Sequence, residues 1–233
     1  PTRAGCPVAD YYEREHGVDL GEWSFGSVAP SAAELNKLML NWNVASAPHL
    51  VRRTKRRSIS AAELSRRPID VHYRVGLEPP EAWGRHYNAH RTQVHKALEG
   101  MPSTRHVVNV AGKRKAVTPK QFREELANSK LSIGPFGWGE VCDRDFEIVM
   151  SGVGLVKPDM SHLETDPDIY VPWKTYFPFK WTGEDVVEVC EKVLNNPELI
   201  ASSIEATNQA CYDWVSGGGF LRKFDEIMAR ACR

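Results

Sequence analysis

The stretch Ser132–Thr165, SIGPFGWGEVCDRDFEIVMSGVGLVKPDMSHLET, decides how the rest of the chain is read. A short apolar run ends in a glycine-rich loop, Gly134–Gly139. A helical pattern follows over Val141–Ser151, with Phe146, Val149 and Met150 on faces that pack inward. The run GLVK (Gly154–Lys157) is short, apolar and bounded by turn residues, so it reads as a buried strand. Strand, glycine loop, helix and strand in succession are the repeating unit of a parallel sheet.

The same rhythm continues on both sides. Ile69–Val75 (IDVHYRV), His106–Val110 (HVVNV), Leu131–Gly134 and Phe177–Trp181 read as further strands. The helix expected over Pro80–Met101 carries Trp83, Tyr87, His90, Val94 and Leu98 at helical spacing. Thr118-Pro119 opens another, with Thr at the N-cap, Pro at the first helical position, and Phe122 and Leu126 on its apolar face. Helices over Gly183–Leu194, Pro197–Val215 and Gly219–Ala231 finish the chain. The expectation is an α/β fold: a Rossmann-like parallel sheet over residues 68–233 with helices on both faces. Its ligand site should lie at the loops after Val75, Gly134 and Lys157, beyond the carboxyl ends of the strands. Residues 1–67 read as a separate, mainly helical segment. Helices are expected around Val8–His16 and Ser31–Trp42, with capping-box patterns at Ser31-x-x-Glu34 and Ser60-x-x-Glu63.

Composition narrows the function classes. The 233 residues are 42% hydrophobic and 26% charged, as in ordinary globular proteins, and the length fits one or two domains. Thirty basic and thirty acidic side chains cancel, so no overall field favours nucleic acid. The local exception is Arg52, Arg53, Lys55, Arg56 and Arg57 in VRRTKRRS. Such a run is either a solvated loop or a patch for phosphate or a membrane surface. Cys6, Cys142, Cys190, Cys211 and Cys232 are scattered with no C-x-x-C pair. That excludes a zinc ribbon or a disulfide framework and fits a reducing, cytoplasmic setting. No apolar run is long enough to span a bilayer as a helix. Pro1 opens the chain without the pattern of a secretion signal, so the chain is expected to be processed or a piece of a longer one.

The glycine loop and its helix carry the chemistry. Gly137 and Gly139 let backbone approach a ligand closely, and a helix N-terminus presents N–H groups and partial positive charge. Together they suit a diphosphate. Arg144 falls in the first helical turn, where a cation opposes the helix dipole, which points to a negative ligand nearby. Arg144 and Glu147 share one helix face. Either they pair with each other, or one holds phosphate while the other accepts from sugar hydroxyls. Arg74, at the end of a buried strand, needs a partner, either a donor phosphate or a carboxylate.

These residues resemble the C-terminal nucleotide-binding domain of GT-B glycosyltransferases, nearest the exostosin-like and family-1-like groups. Retaining members often carry Glu-x7-Glu, with a turn glycine five residues after the second Glu. Gly152 follows Glu147 at that offset, and Glu140 precedes Glu147 one residue short of that spacing. The exostosin-like pattern, Pro-x-Gly and then Arg-Phe-x-Glu-Ala, is echoed by Pro135-Phe136-Gly137 and Arg144-Asp145-Phe146-Glu147, with Ile148 replacing Ala. KPDMSHLET (Lys157–Thr165) looks like the loop after the next strand in bacterial members, and Arg74 resembles their strand-end arginine. The likeness covers about residues 68–215.

What this resemblance implies is a donor site for a UDP-, GDP- or dTDP-sugar. Glu147 would hold the ribose and Arg144 and Arg74 would lie by the diphosphate. Gly137, Gly139, Glu140 and His162 would complete the donor contacts. The acceptor would be a glycan or another hydroxyl compound, with no cofactor and no protein-bound metal. GT-B enzymes have two such domains, and the catalytic base comes from the N-terminal one. Residues 1–67 would be at most a remnant of it, so catalytic residues stay unassigned.

Other candidates keep more than one reading. Asp159, His162 and Glu164 suit donor-sugar contact, a metal, or local hydrogen bonding. Tyr170, Trp173, Tyr176, Phe177, Phe179 and Trp181 suit a sugar platform or core packing. His86 and His90 could share a metal, but with His95 they read as surface residues. No Gly-x-Ser-x-Gly elbow, Walker A motif or HExxH helix is present, and no Gly-x-Gly-x-x-Gly follows Val75. The expected function is sugar transfer from a nucleotide sugar to an acceptor hydroxyl, at a cytoplasmic location with peripheral membrane contact through the basic stretch. The alternative is a non-catalytic nucleotide-sugar-binding module, or a C-terminal fragment of a larger glycosyltransferase.

Overall fold

Short β-branched and apolar runs bounded by turn residues build the centre of the molecule. The computed structural model describes residues 54–77, 85–112, 117–137 and 139–231. The helices expected at Val8–His16 and Ser31–Trp42 lie outside those residues, as do Arg52, Arg53, Cys6, Cys232 and Trp83. The described chain runs α1 (Ala61–Ser65), β1 (Ile69–Val75), α2 (Arg85–Leu98), β2 (Val107–Ala111), α3 (Pro119–Ala127), β3 (Ser129–Ile133) and α4 (Asp143–Met150). It continues through β4 (Gly154–Pro158), β5 (Phe177–Phe179), α5 (Val186–Leu194), α6 (Pro197–Ser216) and α7 (Gly219–Ala231). The five strands form one parallel sheet in the order β2-β1-β3-β4-β5. This is the Rossmann-like α/β architecture expected from the alternation of patterns.

Strand periodicity assigns the faces. Val71, Tyr73 and Val75 of β1 share a core with Val94 and Leu98 of α2 and with Val186, Cys190 and Val193 of α5. The opposite core joins Leu126 of α3, Phe146 and Val149 of α4 and Leu155 of β4. Helix α6 serves both, with Ile200 and Ile204 in the first core and Cys211 and Trp214 in the second. Each of these large apolar side chains contributes about 1.5–3 kcal/mol by leaving water. Helix starts follow local chemistry. Thr118 Oγ1 accepts from the Gln121 N–H at 3.2 Å, and the Gln121 side chain accepts from the Thr118 N–H at 3.0 Å, which closes a capping box. Pro178 interrupts β5, where an edge position makes the missing N–H tolerable.

Residues 54–67 are packed onto the sheet. Ile59 and Leu64 join the first core. The Arg57 N–H donates to Asn208 Oδ1 of α6 at 2.8 Å. Arg67 Nη1 donates to the carbonyls of Ser129 and Gly152, each at 2.7 Å. Residues 54–67 therefore pack with the sheet that follows them. Lys55, Arg56 and Arg57 are exposed beside α6, with the Arg56 guanidinium 5.1 Å from the Tyr212 ring centroid. Among the described residues, no helix is long and apolar enough to cross a membrane.

Candidate functional site

Strand order reverses at β1 and β3, because β1 leads to β2 on one side while β3 leads to β4 on the other. Their following loops diverge, and such a switch point opens a crevice at the carboxyl ends of the strands. A cleft of about 430 Å³ lies there, between Val75–Gly76, the Pro135–Gly139 loop and the start of α4. That volume suits a small organic ligand. A wider hollow, about 620 Å³, runs along the β5 edge beside Trp173 and Trp181. Two of the cations lining it are already engaged, Lys180 with Glu184 at 2.6 Å and Lys192 over the Trp173 ring at 4.1 Å.

Four of the residues picked out by sequence line the switch-point cleft: Gly137, Gly139, Arg144 and Glu147. Arg144 does not pair with Glu147. Its Nη1 donates to the Arg74 carbonyl and its guanidinium lies 4.8 Å from the Phe122 ring centroid. A guanidinium has five N–H donors, so this anchor fixes the group and leaves donors for a ligand. Glu147 is half-buried and makes no side-chain hydrogen bond or ion pair with another described residue. The helix begins at Asp143, two residues later than expected, with Cys142 as its N-cap. Gly152, at φ +67°, ends it as a turn glycine.

Two charged lining residues, Arg91 and Asp143, were not singled out from the sequence. Arg91 on α2 reaches across the cleft, where Nη1 donates to the Gly76 carbonyl at 2.8 Å and Nε to the Phe136 carbonyl at 3.0 Å. It ties the loop after β1 to the loop after β3. Its signal was present in the sequence: Arg91, Val94 and Leu98 share one helix stripe, and a charge on a core-facing stripe needs a reason.

The other three predicted contacts lie elsewhere. Arg74 does not line the cleft; its Nε and Nη2 donate to Glu125 at 2.9 and 2.8 Å. Strand alternation sends this side chain to the α3 face, so the carboxylate partner is the one it finds. His72 joins the same group, 3.1 Å from Glu125 Oε2 and 3.2 Å from Ser132 Oγ. Burial lowers its pKa to about 4, against the upward pull of Glu125, so the ring is neutral at pH 7. The carboxylate can only accept, which places the proton on Nε2. Glu140 and His162 bond each other at 2.8 Å and join the loop after β3 to the loop after β4. Neither lines the cleft.

Beneath the glycine loop lies a buried ion pair. Lys157 and Asp145 are both fully buried, with Nζ 3.0 Å from Oδ2. Asp145 also accepts from the Tyr170 hydroxyl at 2.7 Å and from the Cys142 N–H at 3.2 Å. Lys157 donates to the Gly134 carbonyl at 3.3 Å. The phenol of Tyr170 is pushed well above its usual pKa, first by burial and then by Asp145. Burial raises the Cys142 thiol to about 11, so it is not a thiolate nucleophile at neutral pH.

No protein-family model matches this chain, and no curated protein matches it. Among solved structures it is similar to TarM, with 13% identity and a TM-score of 0.45, over 69% of this chain and 35% of that one. The chain thus spans about a third of TarM's length. Nothing about activity follows from a likeness of that degree, and the cleft's chemistry rests on its own residues.

That chemistry is balanced. Arg91 from α2 and Asp143, Arg144 and Glu147 from α4 line the same cleft, two cations and two anions. Such a lining does not suit a bare polyphosphate. It suits a ligand with an anionic part for the guanidiniums and hydroxyls for a carboxylate. Among the described residues no three His, Cys, Asp or Glu side chains converge as a metal site. Asp159 instead accepts from the Ser161 N–H and the Tyr176 hydroxyl. His90 is fully buried between Phe136 and Phe179, which corrects the surface placement. Tyr170, Tyr176, Phe177 and Phe179 are core residues, while Trp173 is partly exposed.

Proposed function

We propose that the switch-point cleft binds a nucleoside diphosphate sugar and that the chain is a glycosyltransferase or the donor-binding part of one. The observation that carries this reading is that two guanidiniums and a half-buried carboxylate, Glu147, which has no partner among the described residues, line one cleft at the start of α4. Arg91 and Arg144, with the N-terminus of α4, suit the diphosphate and would stabilise the charge that builds on it as a leaving group. Glu147 suits vicinal hydroxyls of the ribose. Gly137 leaves room for backbone to approach the phosphates. Within the described residues the cleft contains donor-side chemistry, and an acceptor hydroxyl would need to be supplied against its open side.

The test separates the two ends of the ligand. Thermal shift and calorimetric titration with UDP, GDP, dTDP and CMP should single out one or more nucleotides that stabilise the chain. Saturation at a hundred times the dissociation constant adds about 2.7 kcal/mol. Arg144→Gln should weaken both that nucleotide and inorganic pyrophosphate by about 1.5–3 kcal/mol, the worth of a charged hydrogen bond. Glu147→Ala should weaken the nucleotide and leave pyrophosphate unchanged. A wild-type chain that none of the four nucleotides stabilises would refute the reading.

A further inference from the structure

The ring beside the Arg144 guanidinium belongs to Phe122, which does not itself line the cleft. Phe122 lies on α3 three residues before Glu125, so the two share one helix face. That face meets two arginines in different ways. Glu125 takes two hydrogen bonds from Arg74, at 2.9 and 2.8 Å, and neutralises it. Phe122 offers Arg144 an aromatic face, with the guanidinium carbon 4.8 Å from the ring centroid. The arginine given the carboxylate lies outside the cleft, and the arginine given the ring lines it.

The difference matters because of where a guanidinium keeps its donors. The group is planar, and its five N–H bonds point outwards in that plane. A ring set over the plane attracts the cation through its quadrupole and takes no donor. The hydrogen bond from Nη1 to the Arg74 carbonyl takes one. Ring and carbonyl together restrict the side chain while leaving it charged and most of its donors unspent. A carboxylate in the place of Phe122 would hold Arg144 as firmly, but would cancel the charge that an anionic ligand needs.

The ring is held in its turn. The His72 ring meets it edge to face, with centroids 5.4 Å apart and planes at 66°. His72 also bonds Glu125 at 3.1 Å, so Phe122 and Glu125 are both fastened to β1. Arg74 of the same strand meets α3 through its side chain and α4 through its carbonyl. Phe122 and Arg144 are thus both located against one strand residue. Packing at the margin of the second core is the plainer role for Phe122. It accounts for an apolar side chain there, and it does not account for a ring set against the cation. We infer that Phe122 is a positioning residue of the cleft, its ring pre-setting the Arg144 guanidinium for an anionic ligand without neutralising it. The inference rests on the reading of the cleft as a diphosphate site. Arginine gives up much rotamer freedom when it binds, and a site that has lost that freedom beforehand binds more tightly.

Phe122→Leu keeps apolar bulk and removes the aromatic face, whereas Phe122→Tyr keeps the face. In calorimetric titration of the full chain with inorganic pyrophosphate, Phe122→Leu should bind about three- to tenfold more weakly than wild type, and Phe122→Tyr should bind nearly as wild type does. In an Arg144→Gln chain, Phe122→Leu should bring no further loss, because the ring acts through that guanidinium. Proton–nitrogen NMR reads the same contact with no ligand present. The Arg144 Nε–H resonance, assigned by its loss in Arg144→Gln, should be displaced upfield by the ring in the wild type. It should return to the ordinary arginine position in Phe122→Leu. Unchanged pyrophosphate affinity in Phe122→Leu would overturn the inference. So would a loss of equal size in the Arg144→Gln background, which is what packing alone predicts. An undisplaced Arg144 resonance in the wild type would also overturn it, and decides the matter should Phe122→Leu fail to fold. A wild-type chain that binds neither pyrophosphate nor any of the nucleotides would sink the diphosphate reading instead, and the resonance would then decide whether the ring positions Arg144.

Discussion

Gly134 is where the loop of the cleft and the buried ion pair meet, and Gly134→Ala tests whether they depend on each other. A Cβ at residue 134 would stand 2.5 Å from Asp145 Oδ1 and 3.1 Å from Leu155 Cδ1. The carboxylate cannot retreat easily, since Lys157, the Tyr170 hydroxyl and the Cys142 N–H hold it from three directions. The backbone cannot retreat either, because the Gly134 N–H donates to the Val156 carbonyl at 2.8 Å. Overpacking of this kind costs about 1–3 kcal/mol, and loosening a buried charged hydrogen bond brings the total to about 2–4 kcal/mol. For a chain of this size that lowers the melting temperature by about 4–16 °C. Gly137→Ala is the matched control. Its Cβ would meet Cys142 Cβ at 3.6 Å and Arg91 Nη2 at 3.8 Å, which are ordinary contacts. It should leave stability within about 0.5 kcal/mol. Urea unfolding of both variants is the assay. Equal midpoints for Gly134→Ala and wild type would refute the close approach. So would a Gly134→Ala penalty that persists unchanged when Asp145 is also Ala, since the clash is with that side chain.

Two further outcomes follow from buried charge. Lys157→Met should cost about 3–5 kcal/mol in urea unfolding, because it strands the Asp145 carboxylate, and adding Asp145→Asn should recover much of the loss. His72 predicts an acid limb. Its folded pKa of about 4 lies below the ordinary 6.5, so between those values the unfolded chain takes up a proton that the folded chain refuses. Stability should therefore be full above pH 6.5 and fall as pH drops towards 4, by about 3 kcal/mol from this residue. His72→Gln should flatten the stability–pH curve by about that amount in the same window, and an unchanged slope would exclude His72 as the titrating group.

The sheet was legible because its signals are local. Apolar runs the length of a strand, bounded by turn residues, mark β1 to β4, and Thr118-Pro119 marks the start of α3 with its own side chain. The glycine loop and the neighbouring Arg144 and Glu147 were legible for the same reason, since a loop, a helix start and one helix face are short-range objects. What was misjudged depends on which face of an element a side chain takes. Arg74 stands at a strand end as expected, but alternation turns it to the α3 face, where Glu125 waits fifty-one residues away in sequence. Glu140 and His162, each sensible alone, find each other across two loops. His90 carries a ring that fits between Phe136 and Phe179, and nothing in its own helix announces those partners.

The residues that escaped the reading share one property: each is a charge where the local pattern demands an apolar group. Arg91 interrupts the buried stripe of α2, Asp145 is fully buried within α4, and Lys157 is fully buried in the run GLVK. Burying a charge is costly unless it is paired, so sequences keep one in such a place only when the fold supplies its partner or a ligand does. Here the fold supplies partners for all three. Lys157 and Asp145 neutralise one another and grip Gly134 from below, while Arg91 grips Gly76 and Phe136 from the side. Together they fix the two loops whose separation is the cleft. Arg144 has its backbone anchor at Arg74, and Glu147 has no partner among the described residues. The charged groups of this region therefore divide into a buried pair that satisfies itself, Lys157 with Asp145, an Arg91 that braces the loops and also lines the cleft, and Arg144 and Glu147 beside open space. That division makes Glu147 and Arg144 the residues at which ligand chemistry is to be sought.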